Sequence, residues 1–192
     1  MSSFKRACVR VLLFFTYVLG IYYIWSRIGR VLFEIHHTGE ADQEFEAEKI
    51  QEFLDTCTWR KDPWWHLGDM ISRPRKFEVT KRGDCDEFAV TALSKGRHGI
   101  KYKGRHYFRL GLLTVNFTKK GTFLSGHNVA LFRTDLPDGS RSYIHLSNWG
   151  IYGPFAAAEE AAKSVWEGAQ ADPCGYRVTT SNLRQRIFHK IW

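Results

Sequence analysis

Gly83-Asp84-Cys85-Asp86-Glu87-Phe88-Ala89-Val90-Thr91-Ala92-Leu93-Ser94-Lys95-Gly96 is the stretch from which the fold is read. Cys85, Phe88, Ala89, Ala92 and Leu93 recur at the three- and four-residue spacing of one helix face. Asp84 is a residue type that caps a helix start, and Gly96 one that stops it. Asp86 and Glu87 complement the positive end of the helix dipole. The spacing predicts a helix over 85–95 with a thiol in its first turn.

Three strand-like runs follow, at about 106–117, 122–133 and 142–148. Thr118-Lys119-Lys120-Gly121 and Leu136-Pro137-Asp138-Gly139 read as the turns between them. Residues 155–170 have helical periodicity, with Phe155, Ala158, Ala162, Val165, Trp166 and Ala169 inward. Upstream, Phe45, Ile50, Phe53, Leu54 and Cys57 mark an amphipathic helix within 41–57. Between them, 58–82 is irregular, with Pro63 and Pro74 as breakers and Trp59, Trp64 and Trp65 in an aromatic loop. A helix followed by an antiparallel meander is an α+β pattern.

The hairpin 122–148 brings chemistry into view. His127, Val129 and Leu131 share one face of its first strand, and Ile144, Leu146 and Asn148 one face of its second. If both faces meet the helix, the pairs are 131:144, 129:146 and 127:148, and His127 lies opposite Asn148 on the inner side. Tyr143, His145 and Ser147 then point outward. A Cys, a His and an Asn in this order suit a thiol nucleophile. A helix N-terminus and an imidazole lower a thiol's pKa. On this reading Cys85 is the nucleophile and His127 the acid and base. Asn148 orients the imidazole, and the Cys85 backbone N–H receives the oxyanion. Trp149 shields the His–Asn bond from water, while Trp64 and Trp65 line a substrate groove.

The run Gly-Asp-Cys-Asp-Glu-Phe-Ala at 83–89, with Gly-His-Asn-Val-Ala at 126–130, resembles the transglutaminase-like cysteine peptidases of the papain-like superfamily. The resemblance covers about 58–150. It implies a core in which a helix carrying the nucleophile packs on an antiparallel meander, with Cys85 as nucleophile and His127 as base. It implies thiol acyl chemistry without cofactor or metal, on peptide, isopeptide or peptidoglycan-type amides. The family usually has Asp in the third position; here Asn148, followed by Trp-Gly as in papain-type enzymes, takes that place, with Ser147 as the alternative. The family also includes inactive members, so a tethered binding module is the non-enzymatic reading.

Composition bounds the rest. Hydrophobic residues make up 44% and charged residues 25% of the 192, a globular balance. The net charge of +8 sits at the ends: five basic residues and no acid in 1–30, four and none in 173–192. Between them 19 basic residues face 20 acids, so no basic face for nucleic acid is expected. Residues 7–26 are apolar but for Arg10, with Tyr22, Tyr23 and Trp25 at the far end. They read as a membrane anchor, with the domain outside the cytoplasm. The expected organisation is an anchor at 1–30, a linker and amphipathic helix at 31–57 and a catalytic domain at 58–192. The cysteines Cys8, Cys57, Cys85 and Cys174 share no CxxC spacing, and His36, His37 and His66 lack partners at metal spacing, so no metal is expected.

Overall fold

The computed structural model describes residues 45–61, 74–119 and 125–180, the backbone of 186–191, and the isolated positions 8 and 11. The expected anchor and the groove residues Trp64 and Trp65 lie outside the described residues. Among those described, no helix is long and apolar enough to cross a membrane.

The fold is α+β. Four helices, α1 (Ala47–Asp55), α2 (Pro74–Thr80), α3 (Cys85–Lys95) and α4 (Ala158–Ala169), pack on a mostly antiparallel sheet. Its long strands are β5 (Arg105–Thr118), β6 (Ser125–Asp135) and β7 (Arg141–Ser147), at the positions the hydrophobic runs predict. Around them stand β1 (Phe45–Glu46), β4 (Ile100–Tyr102), β8 (Gly150–Phe155), β9 (Asp172–Thr180) and β10 (Arg186–Ile191). The order is β1-β4-β5-β6-β7-β8, with β9 on the C-terminal half of β5 and β10 beyond it. A separate parallel pair joins β2 (Thr58–Trp59) to β3 (Arg82–Gly83), directly before α3.

The sheet is buried on both faces. One cluster joins Ile50 and Leu54 of α1, Phe77 of α2 and Phe88, Ala89 and Leu93 of α3 to Leu112, Ala130, Phe132, Ile144 and Leu146 of the sheet. The other joins Ala162, Val165 and Trp166 of α4 to Leu113, Val115, Val129, Leu131, Tyr143 and Val178. Helix α1, expected ahead of the domain, is thus part of its core.

Two-sided burial corrects the expected register. The β6–β7 ladder runs Ala130↔Leu146, Phe132↔Ile144 and Asp135↔Arg141, one residue from the predicted pairing. The loop is five residues, Leu136–Ser140, closed by Leu136 N–H donating to Ser140 O at 2.8 Å and Gly139 N–H to Leu136 O at 2.9 Å. Gly139 has φ +81°, a left-handed conformation suited to glycine. When both faces are apolar, alternation cannot choose between registers one residue apart, because each face offers a hydrophobic set. Tyr143, His145 and Ser147, expected outward, are buried against the α4 side.

Candidate functional site

Helix α3 begins as its sequence predicts. Asp84, in extended conformation, accepts from Asp86 N–H at 3.0 Å, and Glu87 Oε2 accepts from Asp84 N–H at 3.0 Å, completing a capping box. Cys85 is the first helical residue. The inward positions differ from the expectation: Asp86 and Glu87 are buried, whereas Cys85 is half-buried. The helix is enclosed on several sides, and Cys85 at its start stays partly exposed.

A buried carboxylate needs hydrogen-bond donors. Asn128 Nδ2 of β6 donates to Asp86 Oδ1. The Cys85 thiol donates to the same oxygen at 3.5 Å. Asp84, Cys85 and Asp86 bring their ligand atoms within 4.8 Å of one another, but Asp84 is engaged in capping and Asp86 in the bond from Asn128.

His127 does not join this group. It alternates with Asn128 along β6, pairs with Val115 and shares the α4 face with Val129 and Leu131. Asn128 and Ala130 take the α3 face. Cys85 and His127 therefore stand on opposite sides of the sheet. The imidazole is buried and stacks on Trp149, with ring centroids 3.9 Å apart and planes 9° from parallel. Nothing bonds its Nε2. Burial, with Lys119 adding repulsion, pushes its pKa down to about 4, so the ring is neutral at physiological pH. His145 lies on the same face, with Nε2 2.8 Å from Ser164 Oγ of α4 and its ring stacked on Tyr152 and Phe155. Burial lowers its pKa to about 3, with His127 a secondary cause.

Asn148 is not on a strand. Ser147 pairs with Gly150, and Asn148 and Trp149 form the two-residue turn between β7 and β8. Ser147 Oγ accepts from Trp149 N–H at 3.0 Å, and Tyr152 donates its hydroxyl to Trp149 O at 3.2 Å. From the other face Gln51 of α1 donates to Ser147 O at 3.1 Å, fixing the turn. Trp149 stacks on His127, but the His127–Asn148 bond it was expected to shield is not formed. The expected constellation Cys85, His127 and Asn148 is thus replaced around the thiol by Cys85, Asp86 and Asn128.

Sequence reading missed Asn128, which stood in the quoted Gly-His-Asn-Val-Ala run and drew no attention beside a histidine. It also missed the pairing of Trp59 with Gly83, which two-residue strands do not announce. No known protein-family model matches this sequence, and no curated protein is a significant match to it.

Proposed function

We propose that this protein is a thiol acyl-transfer enzyme, a hydrolase or acyltransferase on a peptide or isopeptide amide, with Cys85 as nucleophile. The observation that carries this reading is the place of Cys85: the first residue of a fully capped helix, partly open to solvent. Helix-start N–H groups favour a thiolate over a thiol and then favour the oxyanion formed on attack. The sulfur attacks the amide carbon, the C–N bond breaks, and the amine leaves with the proton the thiol gave up. Water or a second amine then displaces sulfur from the thioester. Asp86, held by Asn128, is the proton acceptor in contact with the thiol, the part first expected of His127.

A second reading rests on His127 lying across the sheet: a domain that keeps the fold without the chemistry and serves as a binding module. Iodoacetamide alkylation at Cys85, followed by peptide mass mapping from pH 5 to 10, separates the two. The enzyme reading expects Cys85 to react faster than a free thiol near neutral pH. Asp86→Asn then moves the midpoint of the profile, and His127→Ala leaves it in place. A Cys85 no faster than free thiol leaves the binding module. Purified peptidoglycan against casein then distinguishes a cell-wall amidase from a protein-directed enzyme. Membrane tethering through residues 7–26, with the domain outside the cytoplasm, belongs to the same proposal and rests on the sequence alone. Protease protection of the full chain in vesicles tests it.

A further inference from the structure

The ladders joining β6, β5 and β9 set their side chains in level rows. Asn128, Thr114 and Arg177 form one row, and Gly126, Asn116 and Gly175 the next. Ladder partners project to the same side of a sheet, and Asn128 meets Asp86, so both rows lie on the α3 face. Burial agrees: Val115, Tyr176 and Val178, which alternate with these residues, belong to the α4 cluster. Helix α3 runs along β6. A Cβ on Gly96, past its end, would meet the Phe132 ring, whereas Asp86 in its first turn meets Asn128. The helix thus starts over the Asn128 row, and the Asn116 row lies past that start. The face changes character at the same place. Leu112 and Ala130, one row earlier, are buried and apolar, whereas Asn128, Thr114, Arg177 and Asn116 are polar and half-buried. Two glycines flank Asn116, and a Cβ on Gly126 would lie 3.4 Å from Asn116 Oδ1. The result is a polar trough with Asp86 and the thiol at one end and a guanidinium at the other.

We infer that this trough is the substrate subsite of Cys85 and that Arg177 pairs there with a substrate carboxylate, so that the enzyme selects amides flanked by an acidic group. This rests on Cys85 being the nucleophile proposed above. Asn128 places the row beside the thiol, because its amide and the Cys85 Sγ share Asp86 Oδ1. Two strand spacings, about 10 Å, separate the Asn128 and Arg177 backbones. At about 3.4 Å per extended residue, a carboxylate some two residues from the reacting carbon comes within reach of the guanidinium. Thr114 and Asn116 offer hydrogen bonds to the polar chain between. Arg177 meets the substrate and not the reacting atoms, so its substitution changes selectivity and leaves the thiol's intrinsic reactivity in place.

The test compares two alkylating probes on the full chain, N-iodoacetyl-glycylglycine and its C-terminal amide, each read at Cys85 by peptide mapping. Both form a C–S bond as iodide leaves, and they differ only in the distal carboxylate. The rate ratio of acid to amide at Cys85 is expected to exceed that at a neutral thiol, N-acetylcysteine amide, by about three- to tenfold. That range lies between an exposed ion pair and a buried charged hydrogen bond. Arg177→Gln should return the ratio to that of the free thiol, and Arg177→Lys should keep part of the preference. Lys163→Gln removes the same charge from an exposed position of α4, across the sheet, and should change nothing. Salt at about 0.5 M should weaken the preference. A wild-type ratio equal to that of the free thiol overturns the inference, as does a ratio unchanged in Arg177→Gln. If Arg177→Gln does not fold, the wild-type ratio and its salt dependence still decide: a ratio indifferent to salt is then the overturning result. The absolute rate with the amide probe tests Cys85 as a nucleophile and cancels from the ratio, so failure of one reading is distinguishable from failure of the other.

Discussion

The two faces of β6 differ in what they do with a polar residue. On the α3 face, Asn128 spends its amide on Asp86, which also receives the Cys85 thiol, at the end of a helix with a complete capping box. On the α4 face, His127 lies one residue away, with an indole over its ring and no partner on Nε2. Its helix, α4, begins at Ala157 without a side-chain cap. Asn128 is held by a directed hydrogen bond, whereas His127 is held by a stacked ring. A directed bond fixes where a proton can go, whereas the stack on Trp149 fixes the His127 ring and leaves its Nε2 without a partner. The difference teaches that a histidine near a cysteine in sequence order is not thereby its base; one position of alternation along a strand separates them by the thickness of a sheet.

The largest expected effect breaks this comparison by charging the α4 face. The folded-state pKa of His127, about 4, lies below its ordinary 6.5. The unfolded chain thus binds the proton more readily, and stability must fall as pH falls. The contribution is complete above about pH 6.5 and is lost progressively toward pH 4. Between pH 7.5 and 4.5, it amounts to about 2–3 kcal/mol of unfolding free energy, read from urea titrations at the two pH values. His127→Phe keeps a ring against Trp149 and should remove that part of the slope. An equal pH dependence in His127→Phe and wild type would show that the imidazole is not held neutral by burial.

The origin of that buried ring also marks how far the sequence could be read. The helix over 85–95, with its cap at Asp84 and stop at Gly96, matches α3 closely, since helix signals are local. Strands β5, β6 and β7 emerged for the same reason, each being a long run between turn residues. Register and facing did not, because they depend on what covers the far side of the sheet. Val129 and Leu131 look like a core face, and so they are, but Ala130 and Phe132 are another, covered by a different helix. A sheet with one wet face would have declared itself through polar alternation. Strands β8 and β9 escaped notice for a related reason: Gly153-Pro154 and Pro173 interrupt patterns that are settled by pairing with β7 and β5. Around Cys85, Asp86 stands next in the chain, but the bond from Asn128 was illegible, because it joins a helix to a strand 42 residues further on.

A smaller effect tests the α3 face. Asn128→Ala removes a donor from a carboxylate that stays buried, and leaving such a group short of a donor costs about 1–3 kcal/mol. Asn128→Asp places a second acid against Asp86 and should cost more near neutral pH and less in acid. Chemical denaturation measures both, and the iodoacetamide profile at Cys85 should shift in each, since Asp86 Oδ1 serves both the amide and the thiol. A loss of stability without any change at Cys85 would mean that the thiol is indifferent to Asp86, and the proton acceptor would have to be sought elsewhere.

The smallest effect compares the two helix starts. Asp84 caps α3 from extended geometry, with its side chain on Asp86 N–H. Ala157 has the same extended geometry at the head of α4, with φ −142° and ψ 154°, but has no oxygen to offer. Backbone preparation without a capping atom is what a substitution can exploit, because no rearrangement is needed to use it. Ala157→Ser should therefore stabilise the protein by about 0.5–1 kcal/mol, and Asp84→Ala should destabilise it by about 1 kcal/mol. The two changes differ in a second respect. Asp84→Ala frees the turn on which Cys85 rides and should alter its alkylation, whereas Ala157→Ser acts across the sheet and should leave Cys85 untouched. Thermal melts give the first comparison and peptide mapping the second. If Ala157→Ser moved the reactivity of Cys85, the two faces would be coupled through β6, and the separation between thiol and imidazole would be one of position and not of energy.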